Sequence, residues 1–155
     1  MPRVESKVSC SPSSKVDSMV YALYRRRDGK ILTDLCPDGF AAALRDKRGL
    51  LWVDFSGEPP DDCEPILRET FGFHPLAIDD ALEETHVPKV DDWGKYLCIV
   101  LEAVAFDVQQ DRPLSTIEVD AFLGMNYLVT YHTKSIAAIE RVWASCQYDE
   151  RLMQR

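Results

Sequence analysis

The stretch Phe71-Gly-Phe-His-Pro-Leu-Ala-Ile-Asp-Asp-Ala-Leu-Glu-Glu-Thr-His-Val-Pro-Lys-Val-Asp-Asp92 decides how this chain is organised. Pro75 suits the first turn of a helix, where a missing amide hydrogen costs nothing, and Pro88 follows soon after its end. A short helix from Pro75 to Glu84 is predicted, with Leu76, Ala77, Ala81 and Leu82 as its apolar stripe. Asp79, Asp80, Glu83 and Glu84 put four carboxylates within six residues, paired at i,i+4. They crowd the C-terminal half of the helix, where the helix dipole disfavours anions by roughly 0.3 to 1 kcal/mol and each like pair adds about 0.2 to 0.5. A bound cation would relieve that repulsion. A folded domain can also carry so small a penalty as a solvated acidic face. No Cys or His stands at zinc-ligand spacing within the helix, so the ion expected there is hard and oxygen-liking, held by one or two carboxylates and several waters. His74 and His86 flank the helix and read as a cap-region and a loop histidine.

Upstream, Met19–Tyr24 and Lys30–Thr33 flank Asp28-Gly29, a dipeptide that tolerates the positive φ of a tight hairpin. Arg25, Arg26 and Arg27 beside that turn read as a solvated strand end. Pro37–Lys47 reads as a short helix closed by Gly49, and Leu50-Leu-Trp-Val-Asp-Phe55 as a buried strand. From Pro60 the apolar residues Cys63, Ile66, Leu67 and Phe71 recur at helical steps until Gly72. Downstream, Tyr96–Phe106, Ile117–Leu123 and Tyr127–Tyr131 are strand-like. Ser135–Cys146 reads as an amphipathic helix, and Asp149–Arg155 still reads as helix. No repeat at solenoid periods is seen. The order hairpin, helix, strand, two helices, three strands, helix predicts an α/β fold in which helices cover a mixed sheet.

A chain of 155 residues closes one core, here after a Ser-rich stretch, Met1–Asp17, expected to be a mobile tail. The formal net charge of −8 disfavours nucleic acid and anionic lipid. The five scattered cysteines, without a C-x-x-C pair, fit a reducing cytosol, and Cys98 and Cys146 read as small packing groups. No run approaches the ~20 apolar residues of a membrane helix, so a soluble polypeptide is expected. Because Asp149–Arg155 still reads as helix at the last residue, the expectation is a piece cut from something longer.

The run Gly72-Phe-His-Pro-Leu-Ala-Ile-Asp-Asp-Ala-Leu82, then His86-Val-Pro-Lys-Val-Asp91 and Tyr96-Leu-Cys-Ile-Val-Leu101, resembles a segment of the CorA family of magnesium channels. Weaker likeness extends to Trp52-Val-Asp54 and to Phe122–His132. The resemblance implies a layered α/β/α domain over residues 18–155, the cytoplasmic funnel of a homopentameric divalent-cation channel of the inner membrane, without the family's stalk and membrane helices. It implies no enzyme activity and contact with the membrane only through those missing helices. It also implies Mg²⁺ bound between subunits by the acidic pair after His-Pro-Leu, completed by stalk acids and favouring the closed pore. That pair falls on Asp79 and Asp80. Asp79 stands where Glu is common and reaches one methylene less far, so Asp80 is the stronger candidate ligand. Gly124-Met125-Asn126 spells the family's pore signature, but between two short strands it reads as a hairpin turn.

Three other readings remain open at this level. One is a domain of the ZntB-like zinc transporters, which share the soluble fold. Another is a metal-dependent hydrolase using Asp79, Asp80, Glu83 and His74. No nucleophile elbow, H-E-x-x-H or phosphate loop accompanies it. The third is a self-association module whose acidic helix is simply a solvated edge.

Overall fold

The computed structural model of the chain describes residues 20–33, 35–84, 87–106 and 114–153. The proposed tail, 1–17, and His86 lie outside them. A seven-stranded sheet runs through the centre in the order β2-β1-β3-β7-β6-β5-β4. Its strands are β1 (Val20–Arg25), β2 (Ile31–Leu32), β3 (Leu50–Ser56), β4 (Lys89–Asp92), β5 (Tyr96–Phe106), β6 (Leu114–Gly124) and β7 (Tyr127–His132). β3 and β7 pair in parallel, while the other neighbours are antiparallel, so the expected mixed sheet is present. The turn at Asp28-Gly29 forms as predicted, with Gly29 at φ 89°. β2, however, is only two residues long, and β1 finds its main partner in β3.

The strand at the centre explains the layers. β3 alternates Leu51, Val53 and Phe55 toward one face and Trp52 and Asp54 toward the other, and all five are buried. On the first face lie α1 (Pro37–Arg45), α2 (Pro60–Pro65) with its π-helical continuation Ile66–Thr70, and α3 (Pro75–Leu82). Phe40, Cys63, Leu67, Ala77, Ile78 and Ala81 from these helices join Val53, Phe55, Cys98, Phe122 and Val129 in the main core. On the second face, α4 (Ala137–Tyr148) and the 3₁₀ turn Glu150–Met153 bring Cys146 and Met153 against Leu23 and Trp52. The result is the layered α/β/α arrangement that was expected. No helix among the described residues is long and apolar enough to cross a membrane.

Several boundaries differ from expectation, each for a local reason. The α2 segment ends at Gly72 as predicted, at φ 69°, with the Phe73 amide closing it on the Leu67 carbonyl at 3.2 Å, but other ends differ. α3 stops at Leu82, not Glu84, because Glu84 turns to φ 46° and breaks the ladder. β4 was not anticipated: Lys89-Val-Asp-Asp92, with a single apolar residue, gives little strand signal, and the strand is held by pairing with β5. Ser135 does not cap α4, whose cap position is Ile136; its hydroxyl instead bonds Glu140 Oε1. Asp149 leaves the helix at ψ 96°, so a 3₁₀ turn replaces the predicted continuation.

The Gly124-Met125-Asn126 turn joins β6 to β7 as the residues suggest. Asn126 is buried and donates from Nδ2 to the carbonyls of Leu44 (3.1 Å) and Asp46 (3.2 Å), stapling the turn to the end of α1.

Candidate functional site at the acidic end of helix α3

An aromatic platform sets the start of α3. Phe73 stacks on Phe122 of β6 with centroids 4.3 Å apart and packs on Tyr96 at 4.7 Å. The next residue, His74, is the helix cap: its Nδ1 accepts from the Leu76 amide at 3.2 Å, its own amide donates to the Tyr96 hydroxyl at 2.9 Å, and its ring stacks on Trp93 at 4.7 Å. Its position as a cap-region histidine is therefore as expected.

From that anchor, Ala77, Ile78 and Ala81 dock in the core and turn the acids outward. Asp79 is exposed and Asp80 half-buried. Asp80 Oδ2 forms an ion pair with Lys89 Nζ of β4, which also lies 3.2 Å from Asp91 Oδ2. The bond to Asp80 raises the Lys89 pKa, against the opposing effect of burial. Glu83 caps the helix end, and Glu84, rotated away, accepts from the Thr133 hydroxyl at 2.7 Å. The i,i+4 crowding foreseen for a longer helix is thus reduced, since Glu83 and Glu84 have left the helical path.

Beneath this surface is a carboxyl that sequence reasoning missed. Asp120 of β6 shares the core-facing side with Phe122, is 1% exposed, and its Oδ1 has no hydrogen-bond partner. Burial pushes its pKa up to about 8, assisted by the negative charges of Glu118 and Asp80. The signal was present in the sequence, because period-two alternation puts Asp120 on the same face as Phe122. Lys89 was missed as well, since its partner is close only after β4 pairs with β5.

The predicted groups do not all converge. Among the described residues no three acids, histidines or cysteines come together as metal ligands, so the hydrolase grouping of Asp79, Asp80, Glu83 and His74 is not assembled. What remains is a pair of neighbouring carboxylates, Asp79 and Asp80, with hard oxygen donors open to water. Such a pair fits a hydrated Mg²⁺, which takes few protein ligands and keeps much of its water. A cation arriving at Asp80 must share the carboxylate with Lys89 or displace it.

Comparison with known proteins gives this arrangement its context. Residues 47–154 match the family model of the CorA-like Mg2+ transporter protein. The "Putative metal ion transporter YfjQ" of Bacillus subtilis is 41% identical over 99 residues, covering 61% of this chain and 29% of that protein. The cobalt/magnesium transport protein CorA of Thermotoga maritima is 25% identical over 112 residues, covering 72% of this chain and 32% of its own. The chain thus spans about a third of the length of these curated relatives. The soluble domain of CorA from Methanocaldococcus jannaschii shares the fold, with a TM-score of 0.61 at 18% identity over 88% of this chain and 50% of that one. The family match spans α3, the acidic pair and the parallel strands β3 and β7, and the chain belongs to the CorA-like Mg2+ transporter family.

Proposed function

We propose that this chain is the cytoplasmic ion-sensing domain of a CorA-like divalent-cation channel of the inner membrane. Asp80, assisted by Asp79, takes Mg²⁺ at the border between neighbouring subunits of a homopentamer, and occupancy favours the closed pore. The domain itself catalyses nothing. The observation that carries this reading is the family match over 47–154, which includes the acidic pair. The geometry supports it in one respect: Asp79 and Asp80 lie at the molecular surface, so residues of a neighbouring subunit have access to an ion held there.

In this reading Lys89 is the internal competitor. A monovalent ammonium neutralises Asp80 when the ion is scarce, and a divalent ion, with twice the charge, replaces it when the ion is abundant. The experiment is Mg²⁺ flux through the full-length protein that carries this domain, as internal Mg²⁺ is raised. Wild type should close, and Asp80→Asn should stay open at concentrations that close wild type. Equal closure in both would remove Asp80 from the site. Parallel measurements with Co²⁺ and Zn²⁺ identify the transported ion.

A further inference from the structure

On the face opposite α3, the parallel register of β3 and β7 sets Asp54 beside Thr130 and Ser56 beside His132. A chain of hydrogen bonds runs through these buried groups. Trp52 Nε1–H donates to Thr130 Oγ1 at 3.0 Å, and the Thr130 hydroxyl donates to Asp54 Oδ1. His132 Nε2 lies 3.2 Å from that same oxygen, and His132 Nδ1 lies 2.7 Å from the carbonyl oxygen of Lys134. His132 is 2% exposed and Asp54 5%.

The two oxygens facing the ring decide its protonation. A backbone carbonyl only accepts. Asp54 Oδ1 already accepts from Thr130, whose own oxygen is engaged by Trp52, so the Thr130 hydrogen has no other direction. A neutral imidazole has a single N–H and would leave one ring lone pair against an acceptor. Both contacts are satisfied only by the imidazolium.

We propose that His132 is a proton-operated latch for α4: as imidazolium it ties Asp54 of β3 to the Lys134 turn that leads into α4, and on losing its proton it gives up one tie and loosens that helix. The groups facing the ring are Asp54 from β3, the Lys134 carbonyl from the turn and Glu140 from α4. With the Tyr21 phenol of β1, Asp54, His132 and Glu140 line a cavity of about 310 Å³ beside Trp143. The cavity gives protons a route to the ring. Burial lowers the His132 pKa, but the bond and charge of Asp54, the Lys134 carbonyl and Glu140 outweigh it and leave it above the usual 6.5. The latch is therefore fully closed below that ordinary value and opens as pH rises through the higher, folded-state value. This inference does not depend on Asp79 or Asp80 and stands or falls separately from the ion-sensing reading.

The test uses this chain, from about pH 5.5 to about pH 9, the range in which histidine titrates. Two measurements are made: the ring-nitrogen NMR shifts of His132, and hydrogen exchange of the α4 amides corrected for the intrinsic effect of pH. Both ring nitrogens should be protonated at the acid end. Above the transition, α4 should exchange about tenfold faster while β5 and β6 stay unchanged. Asp54→Asn should move the midpoint down. A ring that is neutral throughout, or α4 protection that does not follow the ring's titration, overturns the proposal. His132→Gln should abolish the transition. Should that variant fail to fold, the two wild-type measurements still decide the matter.

Discussion

Asp80 of α3 and Lys89 of β4, nine positions apart in the chain, are joined as an ion pair, and Lys89 lies 3.2 Å from Asp91 on its other side. The carboxylate proposed to take the ion is thus already paired with a positive charge of its own chain. Lys89→Met removes that competitor. Partly exposed pairs of this kind are worth about 0.2 to 1 kcal/mol, so the Mg²⁺ concentration that closes the full-length channel should fall by up to about fivefold. An unchanged midpoint would show that Lys89 does not compete.

The burial of Asp120 makes stability depend on pH. Its folded pKa of about 8 lies above the value of an unfolded aspartate, so its protonated form favours folding at acid pH. That advantage declines as pH rises from roughly 4 and is gone once pH passes about 8. Asp120→Asn, of similar shape and never charged, should stabilise the domain by about 1 to 3 kcal/mol at pH 8 and by far less near pH 4. Thermal unfolding at the two pH values measures the difference. A uniform shift at both would mean that ionisation is not the cause.

The turn that imitates a pore signature should behave as a structural element. Asn126→Ala leaves the Leu44 and Asp46 carbonyls without their side-chain donor and should cost about 1 to 3 kcal/mol in denaturant unfolding. Met125 is 78% exposed, and Met125→Ser should be nearly neutral.

His74→Ala removes the side-chain cap of α3 and its stacking on Trp93. A loss of about 1 kcal/mol is expected, read as faster hydrogen exchange confined to α3 and its neighbours. Exchange that is unaltered in α3 would show that the platform holds the helix without the cap.

The sequence made the sheet legible where alternation and length agree, as in β3, β5 and β7, and it placed Pro75, Gly72 and Asp28-Gly29 correctly at element ends. Two features escaped it. β4 exists because Lys89–Asp92 pairs with β5, a tertiary effect that four charged and apolar residues do not announce. The polar groups inside the core also escaped. Asp54 sits in a run that reads as a buried strand, and its partners Thr130 and His132 lie more than seventy positions away, so the bond chain appears only when β3 and β7 align. For the candidate site, residue identities were legible but their surroundings were not. Lys89 beside Asp80 and Asp120 beneath it both depend on how α3 lies on the sheet.

Whether Asp80 senses the ion, as proposed, is read from Mg²⁺-dependent closure of the full-length protein, comparing wild type with Asp80→Asn under the same gradient. Wild type should close as internal Mg²⁺ rises, and Asp80→Asn should continue to conduct. Identical closure curves for the two proteins would contradict it.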